Sequence, residues 1–458
     1  MRRILIVLAT AWFGLAPIRA DGQSSEEAFD QFLGSVEAAR DVILARTPED
    51  GPERAEGLRH IIRLIEMQNA PAMDDHDAAH PHVSRCPSIV CKLGFDNPDF
   101  TYINVAPISP EYTYRVSGRR GTVPYISMQV FDNPFGGEVF MTSEELVVDE
   151  DGRYELILSA TRPEGVANWM ELKPGAARFI MRNGFYDWDN EVEASVRVEV
   201  IEGPVSSDSV PHLSVDEFVS DVSALSLRLS SIPTVMQDAR DTWPLNGLNG
   251  PNPEVFGIEG AGVPSAVSSA GRYELENGEA MIIETPMPDV VHGGIQIGNL
   301  WIESIDYQTR QTSLNWFQSY ADDDGIIRYV LAAEDPGVPN WLDISGHPRG
   351  GIFMRWQSPD VDAMPDLPTV SVVRMAEIRD RLPANHPAVS RDERTAILAA
   401  RYIAVNKRRN PTAQFDEVVG VGASTGGGCS AGGSPPGGWW GVLALLLLWL
   451  GSPRGRRA

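Results

Sequence analysis

Only three of 458 residues are cysteine and eight are histidine, and basic residues are outnumbered 63 to 38 by acidic ones. Cys86 and Cys91 have the spacing of half a zinc site, but no second cysteine pair exists to complete it. The formal charge of −25 sets up a field that repels nucleic acid and anionic lipid, which excludes a DNA-binding role. No P-loop, dinucleotide-binding glycine fingerprint or H-E-x-x-H zincin motif occurs. That leaves the common cofactor enzymes without an anchor, and no cofactor is expected.

The chain is acidic in its body and basic at both ends. Met1-Arg2-Arg3, an apolar run from Ile4 and a small residue at Ala20 read as a secretory signal removed at about Ala20, with Ala16 as the alternative site. Near the other end a Gly/Ser/Pro tether from Gly422 to Gly438 carries Cys429. The apolar residues Trp439 to Leu450 follow it, then Arg454, Arg456 and Arg457. Twelve residues of helix span ~18 Å against a hydrocarbon thickness of ~30 Å, so the run suits a sorting signal better than a durable span. The strings GGGCSAGG, WWGVLALLLLWL and RGRR resemble the C-terminal sorting tags of myxobacterial surface proteins. That resemblance implies processing near Cys429 by a sorting protease and delivery to the cell surface. Outside the cytoplasm, Cys86 and Cys91, separated by four residues, suit a local disulfide.

What is present above all is an internal copy. Residues 151–182, DGRYELILSATRPEGVANWMELKPGAARFIMR, reappear in altered form at 323–356, DDGIIRYVLAAEDPGVPNWLDISGHPRGGIFMRW. Gly152 matches Gly325, Asn168-Trp169 matches Asn340-Trp341, and Met181-Arg182 matches Met354-Arg355. Capping boxes at Ser24/Glu27 and Ser214/Glu217 open a helix ahead of each half, and a third at Ser390/Glu393 opens a closing helix. Helical spacing places Phe29, Phe32, Leu33, Val36 and Ile43 on one buried stripe, and Leu58, Ile61, Ile62 and Ile65 on another with Arg59 and Arg63 facing out. From Phe95 the period changes to two, as in Ala194, Val196, Val198 and Val200, with Gly, Pro and Asp-Gly turns between runs.

The expected fold is therefore mainly β: two tandem jelly-roll-like antiparallel β-sandwich domains with flanking α-helices. The expected divisions are a signal (1–20), helices plus an Asp/His/Cys insert (21–93), a first β domain (94–210), a linking helix (211–245) and a second β domain (246–380). A C-terminal helix (381–410), the tether (411–438) and the sorting segment (439–458) complete the chain. The blocks DNPDFTYINVAPISPEYTYRVSGRRGT, NWMELKPGAARFIMRNGFYDWDNE, GNLWIESIDYQTRQTSLN and LPANHPAVSRDERTAILAARY resemble the exported bacterial domain-of-unknown-function 1214 family and the related 1254 type. The resemblance implies a jelly-roll-like β fold over roughly residues 25–410 and transfers no activity.

Positions kept in both halves serve the shared frame, while positions that differ are freer to serve a site. Trp169/Trp341 and Arg182/Arg355 fall in the first class, as a buried tryptophan and an arginine pairing a carboxylate. In the second class are Glu303, Asp306 and Arg310, together with His347 near Asp335 and Asp343. A histidine among carboxylates suits acid/base work, and carboxylate pairs suit glycoside hydrolysis, whereas the plain alternative is a hydrogen-bonded loop. Asp74, Asp75, His76, Asp77, His80 and His82 offer metal-ligand types, but Pro71 and Pro81 argue against one ligand-bearing helix, and a solvated loop is the reading kept. The functional expectation is a surface-sorted binding or assembly module at the cell envelope, with polysaccharide as a ligand class. A surface hydrolase with its site in the second β domain is the alternative.

Overall fold

The computed structural model describes residues 22–73, 77–87, 92, 94–132, 136–204, 213–252, 266–357 and 366–409. Two helices lead, α1 (Ser25–Arg46) and α2 (Pro52–Met73). Ser24 caps α1 as expected, its Oγ accepting Glu27 N while the Glu27 carboxylate accepts Ser24 N at 2.8 Å. Nine strands follow: β1 (His82–Pro87), β2 (Phe100–Ala106), β3 (Thr113–Arg119), β4 (Tyr125–Phe131), β5 (Phe140–Thr142), β6 (Arg153–Ser159), β7 (Asn168–Glu171), β8 (Arg178–Gly184) and β9 (Arg197–Glu202). Helix α3 (Val215–Asp241), boxed by Ser214 and Glu217, leads the second half. Its strands are β10 (Gly247–Leu248), β11 (Ala266–Glu274), β12 (Glu279–Pro286), β13 (His292–Gly298), β14 (Ser313–Asn315), β15 (Ile326–Ala332), β16 (Trp341–Asp343), β17 (Arg349–Gln357) and β18 (Thr369–Arg374). A short α4 (Ile378–Arg381) and α5 (Arg391–Arg409) close the described chain.

The two halves have one topology. The first pairs a sheet β1-β2-β8-β4-β5 with a sheet β7-β6-β3-β9, and the second pairs β10-β11-β17-β13-β14 with β16-β15-β12-β18. Each strand takes the place of the one nine positions earlier. The sheets are mixed rather than wholly antiparallel, because β6–β7 and β15–β16 run parallel in the same register, Ile157 opposite Trp169 and Val330 opposite Trp341. Asn168 Oδ1 accepts Val147 N while its Nδ2 donates to Val147 O and Glu155 O, and Asn340 repeats this with Tyr320 N, Tyr320 O and Arg328 O. A buried amide with these three bonds locks a turn that backbone groups alone cannot satisfy.

Period-two patterning explains the sandwich cores but not the other faces. On β4, Ile126, Met128 and Val130 enter the first core, yet Tyr125, Ser127, Gln129 and Phe131 are buried too. They are covered because the halves close on each other: the His292 ring lies 5.2 Å from Phe100, 6.1 Å from Tyr125 and 4.6 Å from Tyr186. Asn315 Nδ2 donates across the same boundary to Asp99 Oδ1, Phe185 O and Tyr186 O. The described residues form one compact unit.

Two helical expectations change, and the closing helix adds a third arrangement. Phe29 and Leu33 on α1 are exposed, whereas Ile43 is buried as expected, together with Ala28, Ser35 and Ala39. On α2 the buried residues include His60, Ile61 and Leu64, while Leu58 and Ile62 are exposed. Helix α5 turns its arginines inward: Arg394, Arg401 and Arg408, seven apart, are buried while Ile403 is exposed. Their guanidinium groups lie 5.2 Å from the Trp341 ring, 4.3 Å from Trp188 and 4.1 Å from Trp188. Flat guanidinium groups pack on aromatic faces, so these stacks seat the helix together with the buried Ala404 and Val405.

Candidate functional site

Helix α2 presents Glu56, Arg59, His60 and Arg63 at i, i+3, i+4 and i+7, the spacing of one helix face. Opposite it runs the β13–β14 connection, residues 299–312. Asn299 Oδ1 accepts Trp301 N at 2.9 Å and Glu303 N at 3.1 Å, folding the connection into a tight turn. Ile302 then takes φ 60°, a left-handed conformation that a β-branched residue adopts only under compulsion. The compulsion comes from its full burial and from Phe95 N, itself at φ 54°, donating to Ile302 O at 2.9 Å. This geometry drives Glu303 inward.

Glu303 is fully buried, with Oε1 2.9 Å from His60 Nδ1 and Oε2 accepting Arg63 at 2.5 Å and Asn299 Nδ2 at 3.1 Å. Burial works against its charge, but the hydrogen bond from His60 and the charges of His60 and Arg63 prevail and hold its pKa below the ordinary carboxylate value. Beside it Ser304 Oγ donates to Asp96 Oδ2 at 2.7 Å and accepts from Lys92 Nζ at 3.0 Å. Burial raises Asp96 to about 7 and lowers Lys92. Between helix and connection lies a cleft of about 390 Å³, bounded also by Asp306, Tyr307, Ser345, His347 and Arg409. Its only aromatic lining residue among those described, Tyr307, is 3% exposed, so no open ring is available for stacking.

The candidate residues of the second half divide into two groups. Glu303, Asp306 and His347 come together in the cleft. Asp306 is tied locally, accepting Gln308 N, Thr309 N and Thr309 Oγ1. His347 Nε2 lies 2.9 Å from Glu56 Oε2 and Nδ1 lies 3.0 Å from Ile344 O, so both ring nitrogens face acceptors, the pattern of the charged form. Burial opposes that charge, yet the Glu56 hydrogen bond outweighs it and raises the pKa.

The other three lie elsewhere. Arg310 donates to Asp343 Oδ2 at 2.9 Å, Asp343 Oδ1 accepts Ser345 N, and Asp335 is taken up by Arg394 Nε at 2.9 Å and Gly337 N. They are spent on structural pairs, Asp343 at the end of β16 with Arg310 and Asp335 with Arg394 of α5. The repeated arginine also differs from expectation: Arg355 donates to Gln296 Oε1 and Phe95 O, not to a carboxylate, and the Arg182 guanidinium makes no hydrogen bond among the described residues.

Sequence reasoning missed the α2 contribution, although Glu56, Arg59, His60 and Arg63 carry a helical period in polar residues. Apolar periodicity is blind to such a face, and arginines on it read as solvated. Of the metal candidates, Asp74, Asp75 and His76 lie outside the described residues; Asp77 Oδ2 and His80 Nδ1 pair at 2.6 Å on the surface, and His82 opens β1. Among the described residues no group of three or more His, Cys, Asp or Glu could hold a metal, and no helix is long and apolar enough to cross a membrane. Cys86 lies on β1, while Cys91, Cys429, the expected signal and the sorting segment lie outside the described residues.

No family model matches this chain, and no curated protein matches it. Among solved structures it is similar to an uncharacterized protein from Burkholderia cenocepacia, at 27% identity and a TM-score of 0.70 over 77% of this chain and 98% of that one. A protein from Vibrio parahaemolyticus aligns with 76% of this chain and 100% of its own at 11% identity and a TM-score of 0.41, too distant to carry an argument. The mainly β architecture is thus shared with the Burkholderia cenocepacia protein, which is itself uncharacterized and brings no activity with it.

Proposed function

We propose that this chain is an exported, cell-surface-sorted binding protein of the 1214 type whose cleft takes a polar ligand through an acidic group, with an acidic envelope polysaccharide as the ligand class. The carrying observation is the imbalance of unused donors. The cleft carboxylates are engaged, Glu56 by Arg59 and His347, Glu303 by His60 and Arg63, and Asp306 by its own turn. Arg59 and Arg63 each spend one nitrogen on these bonds and, with Arg409, keep donors toward the space. Guanidinium forks match carboxylates in bidentate fashion, and in a body this acidic a cluster of free donors is where an anion is accepted. Without an open aromatic ring, recognition falls to these polar groups.

Calorimetric titration with oligogalacturonate and with a neutral oligosaccharide of equal length tests the reading. Binding of the acidic ligand alone, weakened at least tenfold in an Arg59→Ala, Arg409→Ala double variant, is expected. Equal affinity for the two sugars, or unchanged affinity in the double variant, overturns it.

The hydrolase alternative draws on one observation, the Ser304 hydroxyl held between the Lys92 amine and a buried carboxyl whose pKa lies near 7. The Asp96 carboxylate, which already accepts from that hydroxyl, would serve as its base. Turnover of acyl esters that disappears in Ser304→Ala, with oligogalacturonate binding intact, would favour it; no turnover removes it.

A further inference from the structure

The boundary between the halves holds two equivalent arginines in unequal company. Arg182 on β8 stands opposite Tyr102 on β2 and Ser127 on β4, and Arg355 on β17 stands opposite Ser268 on β11 and Gly294 on β13. Gln129 and Gln296, two residues beyond Ser127 and Gly294 on the same face, are likewise equivalent. Both guanidinium groups act on Tyr102, so they belong to one buried polar layer.

Arg355 is satisfied there. It donates to Gln296 Oε1 and to Phe95 O, and Asp96 and Asp99 support its charge against burial. Arg182 has none of this. Gln129 is turned away, its Nε2 donating to Gly137 O at 2.9 Å and its Oε1 left without a partner. Ser127 Oγ and a terminal nitrogen of Arg182 are also buried without a partner. The neighbours that touch the guanidinium include the Phe131 ring at 5.8 Å, and only Tyr102 and Tyr125 counter the effect of burial on its charge. Arg182 keeps 7% of its residue surface accessible. A guanidinium does not escape burial by losing its proton, and an unpaired buried charge is strongly destabilising. The complement it lacks is a negative group with acceptor oxygens.

We propose that Arg182, with the Ser127 hydroxyl as second donor, binds a small oxyanion, a carboxylate or a phosphate, in the layer between the two halves. The anion stands where Gln296 Oε1 and Phe95 O stand beside Arg355. Its charge is matched to one guanidinium, and its oxygens supply the acceptors that both side chains lack. The site is separate from the cleft, which is built by α2 and the β13–β14 connection.

The test is thermal unfolding of the full chain in an anion-poor zwitterionic buffer, titrated with inorganic phosphate and separately with acetate. The wild-type midpoint is expected to rise with the logarithm of anion concentration, as for any ligand that binds the folded state alone. Arg182→Met is expected to lose that rise and to be at least as stable as wild type before anion is added, since an unpaired charge has been removed. Arg59→Ala and Arg409→Ala, which alter only the cleft, are expected to keep the rise, which separates this site from the ligand reading above. A wild-type midpoint indifferent to both anions overturns the proposal, and so does an undiminished rise in Arg182→Met. Should Arg182→Met not fold, Arg182→Lys keeps the charge without the fork: a shallower rise supports the site and an unchanged one overturns it.

Discussion

The β4–β5 connection of the first half spans residues 132–139, whereas its counterpart in the second half, between β13 and β14, spans 299–312. The strands on either side occupy equivalent places in equivalent sheets. The longer connection meets α2, and it carries Asn299, Glu303, Ser304 and Asp306 into the cleft. Duplication kept what the sandwich needs and left chemistry to a loop, where length is tolerated at small cost because closure entropy grows only slowly.

The sharpest break in this comparison is at Glu303. Glu303→Ala strands His60 and Arg63 beside an empty position and is expected to cost ~3–5 kcal/mol in urea unfolding. Glu138→Ala, in the shorter connection, removes an exposed ion pair with Lys173 and is expected to match wild type. Equal effects of the two would mean that the longer connection is not specially built. The shared frame is probed by Asn168→Ala and Asn340→Ala. Each removes an amide serving three backbone groups, so each is expected to cost ~2–3 kcal/mol, and the two values should agree within ~0.5 kcal/mol. A large disagreement would show that the copies no longer bear the same load.

The smallest expected effect is in pH dependence, and it belongs to the groups around the longer connection. His347 has a raised folded pKa, so its stabilising pair with Glu56 is fully present below pH ~6.5 and is lost as pH rises through that raised value. Asp96, raised to about 7, keeps its proton in the folded state longer than in the unfolded one, so its contribution also falls between roughly pH 4 and 7. Both signs agree: stability measured by urea midpoints should decline from mildly acid pH toward and past neutrality. Glu56→Gln should flatten the upper part of the decline and leave the lower part, and an unaltered profile in that variant would remove His347 as its source.

Much of this was legible from pattern. The three capping boxes, the strand-rich body, the Asn-Trp block and the copy itself follow from local spacing, since caps and cross-strand periods are set by neighbours in the chain. The copy also pointed to Glu303, Asp306 and His347, because a residue the frame does not need stands out against its twin. It could not tell them from Arg310, Asp335 and Asp343, which are held away from the cleft by Arg310–Asp343 and Asp335–Arg394 pairs. Nor could it show the buried faces of α2 and α5. An arginine that rests on Trp188 and one that reaches solvent carry the same sequence signature, and the difference is made by what lies opposite.

By itself the sequence determined that one β unit occurs twice, each led by a capped helix, because hydrogen-bond capping and side-chain alternation act over a few residues. Only the tertiary structure decided that the halves close face to face, that α2 meets the β13–β14 connection, and that Arg182 is left without the partners Arg355 has. These depend on contacts between segments one or two hundred residues apart, and burial, charge and hydrogen bonding acquire their values only when those segments meet.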